Sequence, residues 1–167
     1  MIRRITKKKG LGESKSRISS RKTIYGQIEY KSKLEADAAE ILTNSGIEFD
    51  YEGATFNVMP SFISNVDCYA QLRKKTKAGT SAKFDKQPAK VEAITYTPDF
   101  THINADKTGW IIETKGVPNE SFPLRFKLFK KFLHENGYNL TLFIPRNKEQ
   151  IYKCVEIIKQ QNQNKKK

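Results

Sequence analysis

A chain of 167 residues has room for one domain with a buried core, and 37% hydrophobic residues, many of them aromatic, suffice to build it. No run of about 18 apolar residues occurs, which excludes a membrane-spanning helix; the basic N-terminus lacks the apolar core of a secretory leader, so secretion is not expected. The formal net charge of +13 is unevenly placed: residues 1–22 hold nine Lys/Arg against one acid, 59–91 seven against two, and 159–167 four against none. Basic segments around a mildly acidic remainder point to a polyanionic partner, with DNA the expectation. Two distant cysteines, Cys68 and Cys154, suit a reducing compartment, and the expected location is cytoplasmic.

Residues 1–22 are rich in Lys, Arg, Ser and Gly and read as a flexible basic arm. Thr23 to Tyr30 alternates apolar and polar residues, as in a short strand or an extended lead-in. Ser32 with Glu35 three residues later is a capping box that opens a helix. Leu34, Ala38, Ile41 and Leu42 supply its apolar face, and Gly46 stands at the left-handed stop. Capping is a complete structural account of Glu35 taken alone.

Ile47 to Val58 starts as a strict alternation and predicts a half-buried strand, with a bend at Gly53. From about residue 59 to 91 the pattern reads as a basic, flexible insertion, with a hairpin around Ala78–Ala82 as the alternative. Ile94 to Gly116 reads as a β-hairpin, turning through Asn104–Gly109, with Asp99 and Glu113 interrupting its apolar strands. Val117 to Ser121 reads as a loop. Leu124, Leu128, Phe129, Phe132 and Leu133 then mark one face of a helix that Gly137 closes. Asn139 to Pro145 predicts a buried strand, returned to the same sheet by a crossover, and Gln150 to about Gln160 a last amphipathic helix. Residues 159–167 form a lysine-rich tail.

The acids of the central hairpin carry the chemistry. A buried carboxylate is costly unless it is paired or holds a metal. Asp99 and Glu113 on adjacent strands would offer hard oxygen ligands for Mg²⁺ or Mn²⁺. Strand periodicity sets Lys115 on the side of Glu113, where an ammonium could orient water or stabilise developing negative charge. Glu35, as a third acid, would let the site hold a second ion, and the reaction implied is in-line hydrolysis of a phosphodiester. Cys68, His102, His134 and Cys154 match none of the usual zinc spacings.

Glu-x-Lys after Pro-Asp is a short motif; its setting between strand-like runs gives it weight. The successive stretches Ser32–Glu35, Ser45–Glu52, Thr95–Phe100 and Glu113–Gly116 closely resemble the motifs of the phage endonuclease I family, four-way-junction resolvases of the PD-(D/E)xK nuclease superfamily. The resemblance covers about half the chain. The stretches Ile28–Ala36 and Phe122–Phe129 also resemble small uncharacterised phage proteins thought to share that fold. It implies an α/β, restriction-endonuclease-like core, with a mixed central β-sheet flanked by helices, over residues 23–158. It implies a catalytic set of Glu35, Asp99, Glu113 and Lys115. One metal would be held by Asp99, Glu113 and the Thr114 carbonyl, and a second by Glu35 and Asp99. One residue could both cap and ligate, so the two accounts of Glu35 are compatible.

The function implied is a divalent-metal-dependent endodeoxyribonuclease acting on branched DNA such as Holliday junctions, with a homodimer as the associated assembly. The DNA-binding set expected from the basic segments is Lys7, Lys8, Lys9, Arg17, Arg21, Lys22, Lys31, Lys33, Arg73, Lys74, Lys75 and Lys77. Family members have a short connection where this chain carries about Asn57 to Ala93, and they exchange segments there to form an intertwined dimer. The longer basic interval departs from that geometry. The competing expectations are a monomeric nicking, flap or linear-duplex nuclease with the same site, and a non-cleaving DNA-binding or virion-associated protein on this fold.

Overall fold

A computed structural model of the chain describes residues 22–76, 79–116 and 121–164, with backbone alone at 74–76 and 79–81. The first strands, β1 (Thr23–Tyr25) and β2 (Ile28–Tyr30), form a hairpin through Gly26, whose φ of +61° suits a tight turn. Helix α1 (Lys33–Asn44) follows. Its N-cap Ser32 accepts from the Glu35 amide through its side chain, as the capping box predicts. The reciprocal half differs by one residue: the Glu35 carboxylate takes the backbone N–H of Lys31 at 3.0 Å rather than that of Ser32. Gly46 ends the helix at φ +68°.

The predicted strand over Ile47–Val58 divides into two short pieces. β3 (Asp50–Tyr51) pairs with the central sheet, and β4 (Phe56–Met59) pairs elsewhere. Phe49 and Tyr51 pack on one apolar cluster, while Phe56 belongs to another across the sheet, so the chain has to cross between layers at Gly53–Thr55. Gly53 lies so close to Asp50 that a Cβ there would stand 2.5 Å from the Asp50 Cβ.

The interval expected to be a flexible insertion is a two-stranded antiparallel ribbon. β4 pairs with β9 (Ile94–Tyr96), β5 (Phe62–Ile63) with β8 (Lys90–Val91), and β6 (Tyr69–Thr76) with β7 (Gly79–Lys86). The ladder slips in register between Asn57 and Met59, a bulge of the kind that bends such ribbons. Polar composition suggests a flexible insertion, with a hairpin as the alternative; the β6/β7 pairing runs over eight residues a side.

The predicted hairpin over Ile94–Gly116 is likewise redivided. β10 (Phe100–Ile103) and β11 (Thr108–Ile112) form it, and β9 belongs to the ribbon. Pro98 separates β9 from β10, lacking the N–H that a continuing ladder would use. At the turn, Gly109 has φ +139°, and a Cβ there would lie 2.0 Å from the His102 carbonyl oxygen.

Helix α2 (Phe122–Glu135) carries the chain to β12 (Asn139–Phe143), which pairs parallel with β11, so the crossover does return to the same sheet. The four-stranded sheet has the order β12-β11-β10-β3 and is mixed. Helix α3 (Lys148–Asn164) starts and ends beyond the predicted 150–160.

The sheet is apolar on both faces because both are covered. Phe100, Trp110, Ile112 and Phe143 pack against α1 and α3; Ile111, Ile103, Leu140 and Leu142 pack against α2, Phe56 and Tyr96. On α2 the buried positions are Phe129 and Leu133, whereas Leu124, expected on the apolar face, is exposed at the first turn. Among the described residues no helix is long and apolar enough to cross a membrane. Replacing Gly109 by Ala should force the turn out of register, lowering stability by about 2 kcal/mol or more in urea unfolding, because the added methyl has only backbone to meet.

Candidate active site

Phe100 pairs with Ile112 as the last rung of the β10/β11 ladder. Asp99 stands one residue before that rung and Glu113 one after it, so the two acids flank the end of the sheet rather than interrupt its strands. Both are buried. The backbone around them stays paired: Glu113 N–H donates to the Phe143 carbonyl and Lys115 N–H to the Pro145 carbonyl, which prolongs the β11/β12 edge to Lys115. That continuation brings Lys115 back to Glu113, with Nζ 2.7 Å from Oε1, as strand spacing predicts although the strand proper has ended.

Asp99 Oδ2 accepts from both the backbone N–H and the hydroxyl of Thr114, each at 2.7 Å. Burial nevertheless pushes its pKa up to about 7, aided by the charges of Glu113 and Glu35 and opposed by the Thr114 donors. On Glu113, Lys115 serves Oε1, while Oε2 is buried. The Tyr96 hydroxyl is buried beside Glu113; burial raises its pKa most, then the Glu113 charge and the interaction of the hydroxyl with that carboxylate. Such groups are costly in a protein interior and call for a cation or donor to complete them.

Glu35 reaches the same place from the first turn of α1. Its Oε1 receives the Ser32 hydroxyl at 2.8 Å, and its Oε2 receives Lys31 N–H and the Tyr51 hydroxyl, the latter at 2.6 Å. Glu35 therefore takes part in the helix cap, with its reciprocal bond shifted to Lys31, and still lines the cleft. That cleft, about 250 Å³, is bounded by Glu35, Asp99, Glu113, Lys115, Lys31, Glu52, Tyr96, Thr97, Ser121, Phe122 and Arg125. All four predicted catalytic residues meet there.

Several contributors escaped sequence reasoning. Tyr51 was legible only as an apolar strand position, yet its hydroxyl orients Glu35. Glu52 read as a solvent-facing acid, but it is ion-paired with Lys31 at the cleft rim. Phe122 lies under the Lys115 ammonium, 5.1 Å from ring centroid to Nζ, and Arg125 donates to the Thr95 carbonyl. The pairing of long-range partners left no short-range signal for any of these.

The predicted DNA-binding residues divide. Lys31 lines the cleft, and Lys33 is exposed on the first turn of α1. Lys22 is ion-paired with Glu29 on the β1/β2 hairpin, and Arg73 is exposed on β6. Lys74 and Lys75 continue β6. Lys7, Lys8, Lys9, Arg17, Arg21 and Lys77 lie outside the described residues. A larger cavity of about 380 Å³, lined by Ser45–Glu48, His102, Trp110, Lys159, Asn162 and Gln163, lies toward the turn end of the sheet and lacks a carboxylate pair.

Among the described residues no group of three or more His, Cys, Asp or Glu side chains is gathered to hold a metal ion. The Asp99–Glu113 pair still fits one hard divalent cation. Burial of Asp99 beside the Glu113 charge is what such an ion would relieve, and an ion that keeps waters needs only one or two carboxylates. Glu35 fits less readily as a ligand, because three donors already occupy its oxygens.

Fold and site thus define a mixed α/β protein with two buried carboxylates and a lysine at the open end of its sheet. The chain belongs to a family described as "Protein of unknown function (DUF1064)", whose model matches residues 15–148. No curated protein and no solved structure matches it.

The carboxylate pair has a measurable cost. An Asp whose folded pKa lies above its unfolded value binds a proton on folding, so stability rises as pH falls from about 7 toward 4 and is lowest above 7. In metal-free buffer Asp99→Asn should therefore be more stable than the wild type at pH 8, by up to a few kcal/mol. The difference should shrink toward pH 4, as followed by urea midpoints across the range.

Proposed function

We propose that the protein is a divalent-metal-dependent endodeoxyribonuclease with a restriction-endonuclease-like core, acting on branched DNA. The single observation behind this reading is the pair of buried acids, Asp99 and Glu113, with Lys115 against the second, at the open end of a mixed sheet. The sequence resemblance to the PD-(D/E)xK nucleases supports it, and so does the net charge of +13. The reading places the protein in the cytoplasm, with Cys68 and Cys154 as free thiols.

When bound, Mg²⁺ or Mn²⁺ supplies Lewis-acid chemistry at a phosphoryl oxygen and a lowered pKa for bound water. Asp99, Glu113 and the Thr114 carbonyl are the groups that would hold the ion. Thr114 fixes the Asp99 rotamer through two hydrogen bonds, so the carboxylate is oriented before any ligand arrives. Lys115, held by Glu113 and resting on Phe122, presents its ammonium to the cleft, where it can orient an attacking water or offset charge on the scissile phosphate. Lys31 and Arg125 at the rim add positive charge for the flanking phosphates. Glu35 would serve a second ion only by giving up part of its cap.

Asp99→Asn and Glu113→Gln should each reduce cleavage of a synthetic four-way junction in Mg²⁺ by about 10³-fold or more while binding measured in EDTA persists. Cleavage by the variants equal to that by wild type would sink the nuclease reading. Glu35→Gln separates the two accounts of that residue: a ligand shows as lost cleavage at unchanged thermal midpoint, a cap as a lowered midpoint with cleavage retained. A panel of junction, flap, nicked and linear DNAs decides the substrate, since equal cutting of all forms removes the branched-DNA preference and leaves a general nuclease.

A further inference from the structure

The β6/β7 ribbon has two unlike faces. Residues directly opposite in an antiparallel pair share a face, so Tyr69, Lys86, Gln71, Phe84 and Arg73 stand on one side, and Ala70, Asp85, Leu72 and Lys83 on the other. Each face holds an ion-paired lysine: Lys83 Nζ lies 2.8 Å from Asp85 on the second, and Lys86 of the first lies 2.6 Å from Asp67. On the first face Tyr69 and Phe84 stack on each other, centroids 6.4 Å apart and planes within 24°. They are nevertheless 56% and 71% exposed. Arg73 is exposed beyond them toward the tip.

Exposed aromatic rings on a ribbon are an aggregation liability unless something uses them. The charge favours a negatively charged occupant, because the segment 59–91 carries seven basic residues against two acids, and the stacked rings favour one with flat faces. A second copy of the same ribbon would bring like charge to like charge. Nucleobases offer π-faces to the rings while their phosphates meet Arg73 and the net positive charge of the segment, which is how single strands are held without sequence preference. The ribbon is also rooted at the cleft: its base pair, Phe56 with Tyr96, carries a cleft-lining residue, and Thr97 follows directly.

We propose that the Tyr69–Phe84 face of the ribbon binds unpaired bases of a DNA strand by stacking. The choice of DNA rests on the nuclease reading; the stacking does not. Such a platform favours substrates with single-stranded character, at flaps, gaps or open branch points, over continuous duplex.

The test is fluorescence anisotropy of labelled oligothymidylate and of a blunt duplex, with the full chain in EDTA so that nothing is cut. Tyr69→Ala with Phe84→Ala should weaken single-strand binding at least about tenfold and duplex binding by no more than about twofold. Tyr69→Leu with Phe84→Leu, which keeps apolar side chains in the strands, should lose as much. The exchange Tyr69→Phe with Phe84→Tyr should bind as wild type does. Retained binding in both the alanine and leucine pairs overturns the proposal, as does retention in the leucine pair alone, which would indicate apolar contact without stacking. A wild-type dimer that becomes monomeric in the alanine pair, by sedimentation, also overturns it and makes the ribbon an interface between copies. The aromatic-dependent binding with no cleavage in Mg²⁺ or Mn²⁺ removes the nuclease reading and leaves the platform standing; cleavage with aromatic-independent binding does the reverse.

Discussion

Two carboxylates are buried side by side at the end of one strand pair, and most of the structure near them is arranged around that cost. Asp99 and Glu113 flank the Phe100–Ile112 rung. Neither can move without breaking the ladder that fixes its backbone. Thr114 answers part of the charge on Asp99 and Lys115 part of that on Glu113. What remains shows as an Asp99 pKa raised to about 7 by burial and by the Glu113 charge. A protein gains nothing in stability from such an arrangement, and buried like charges of this kind mark sites of function.

The sheet makes the arrangement rigid. Its two covered faces give β10 and β11 apolar neighbours on both sides, so the acids project from strands held by packing on either face. Three separate elements deliver the remaining groups: α1 brings Glu35, β3 brings Tyr51 to hold it, and the start of α2 brings Phe122 and Arg125. Each arrives by a different segment, and each is tied by hydrogen bonds or packing before any substrate is present. Such preorganisation is what the proposed chemistry at a phosphate would require.

Pro98 divides the labour between the two β-systems. On its C-terminal side the chain enters the central sheet, and on its N-terminal side it leaves along the ribbon. The chemical cleft and the basic, aromatic ribbon are therefore covalent neighbours although they belong to different sheets.

Local sequence determined a good deal. Ser32 and Gly46 delimit α1 because capping and left-handed stops depend on a few adjacent residues, and the helical spacing of Phe129 and Leu133 marks the buried face of α2. The four residues Glu35, Asp99, Glu113 and Lys115 were legible as a set through their motifs, and the fold gathers them. Only tertiary structure decided what those residues meet. Tyr51 lies sixteen positions from Glu35 and gives no periodic sign of its hydrogen bond. The ribbon pairs residues up to forty apart, such as Phe56 with Tyr96, and its polar composition resembles that of a loop until the two strands are laid together. Capping and helical packing act within a turn or two of chain and leave their trace in its order; cross-strand pairing and the burial of charge act between segments that only the folded chain brings together.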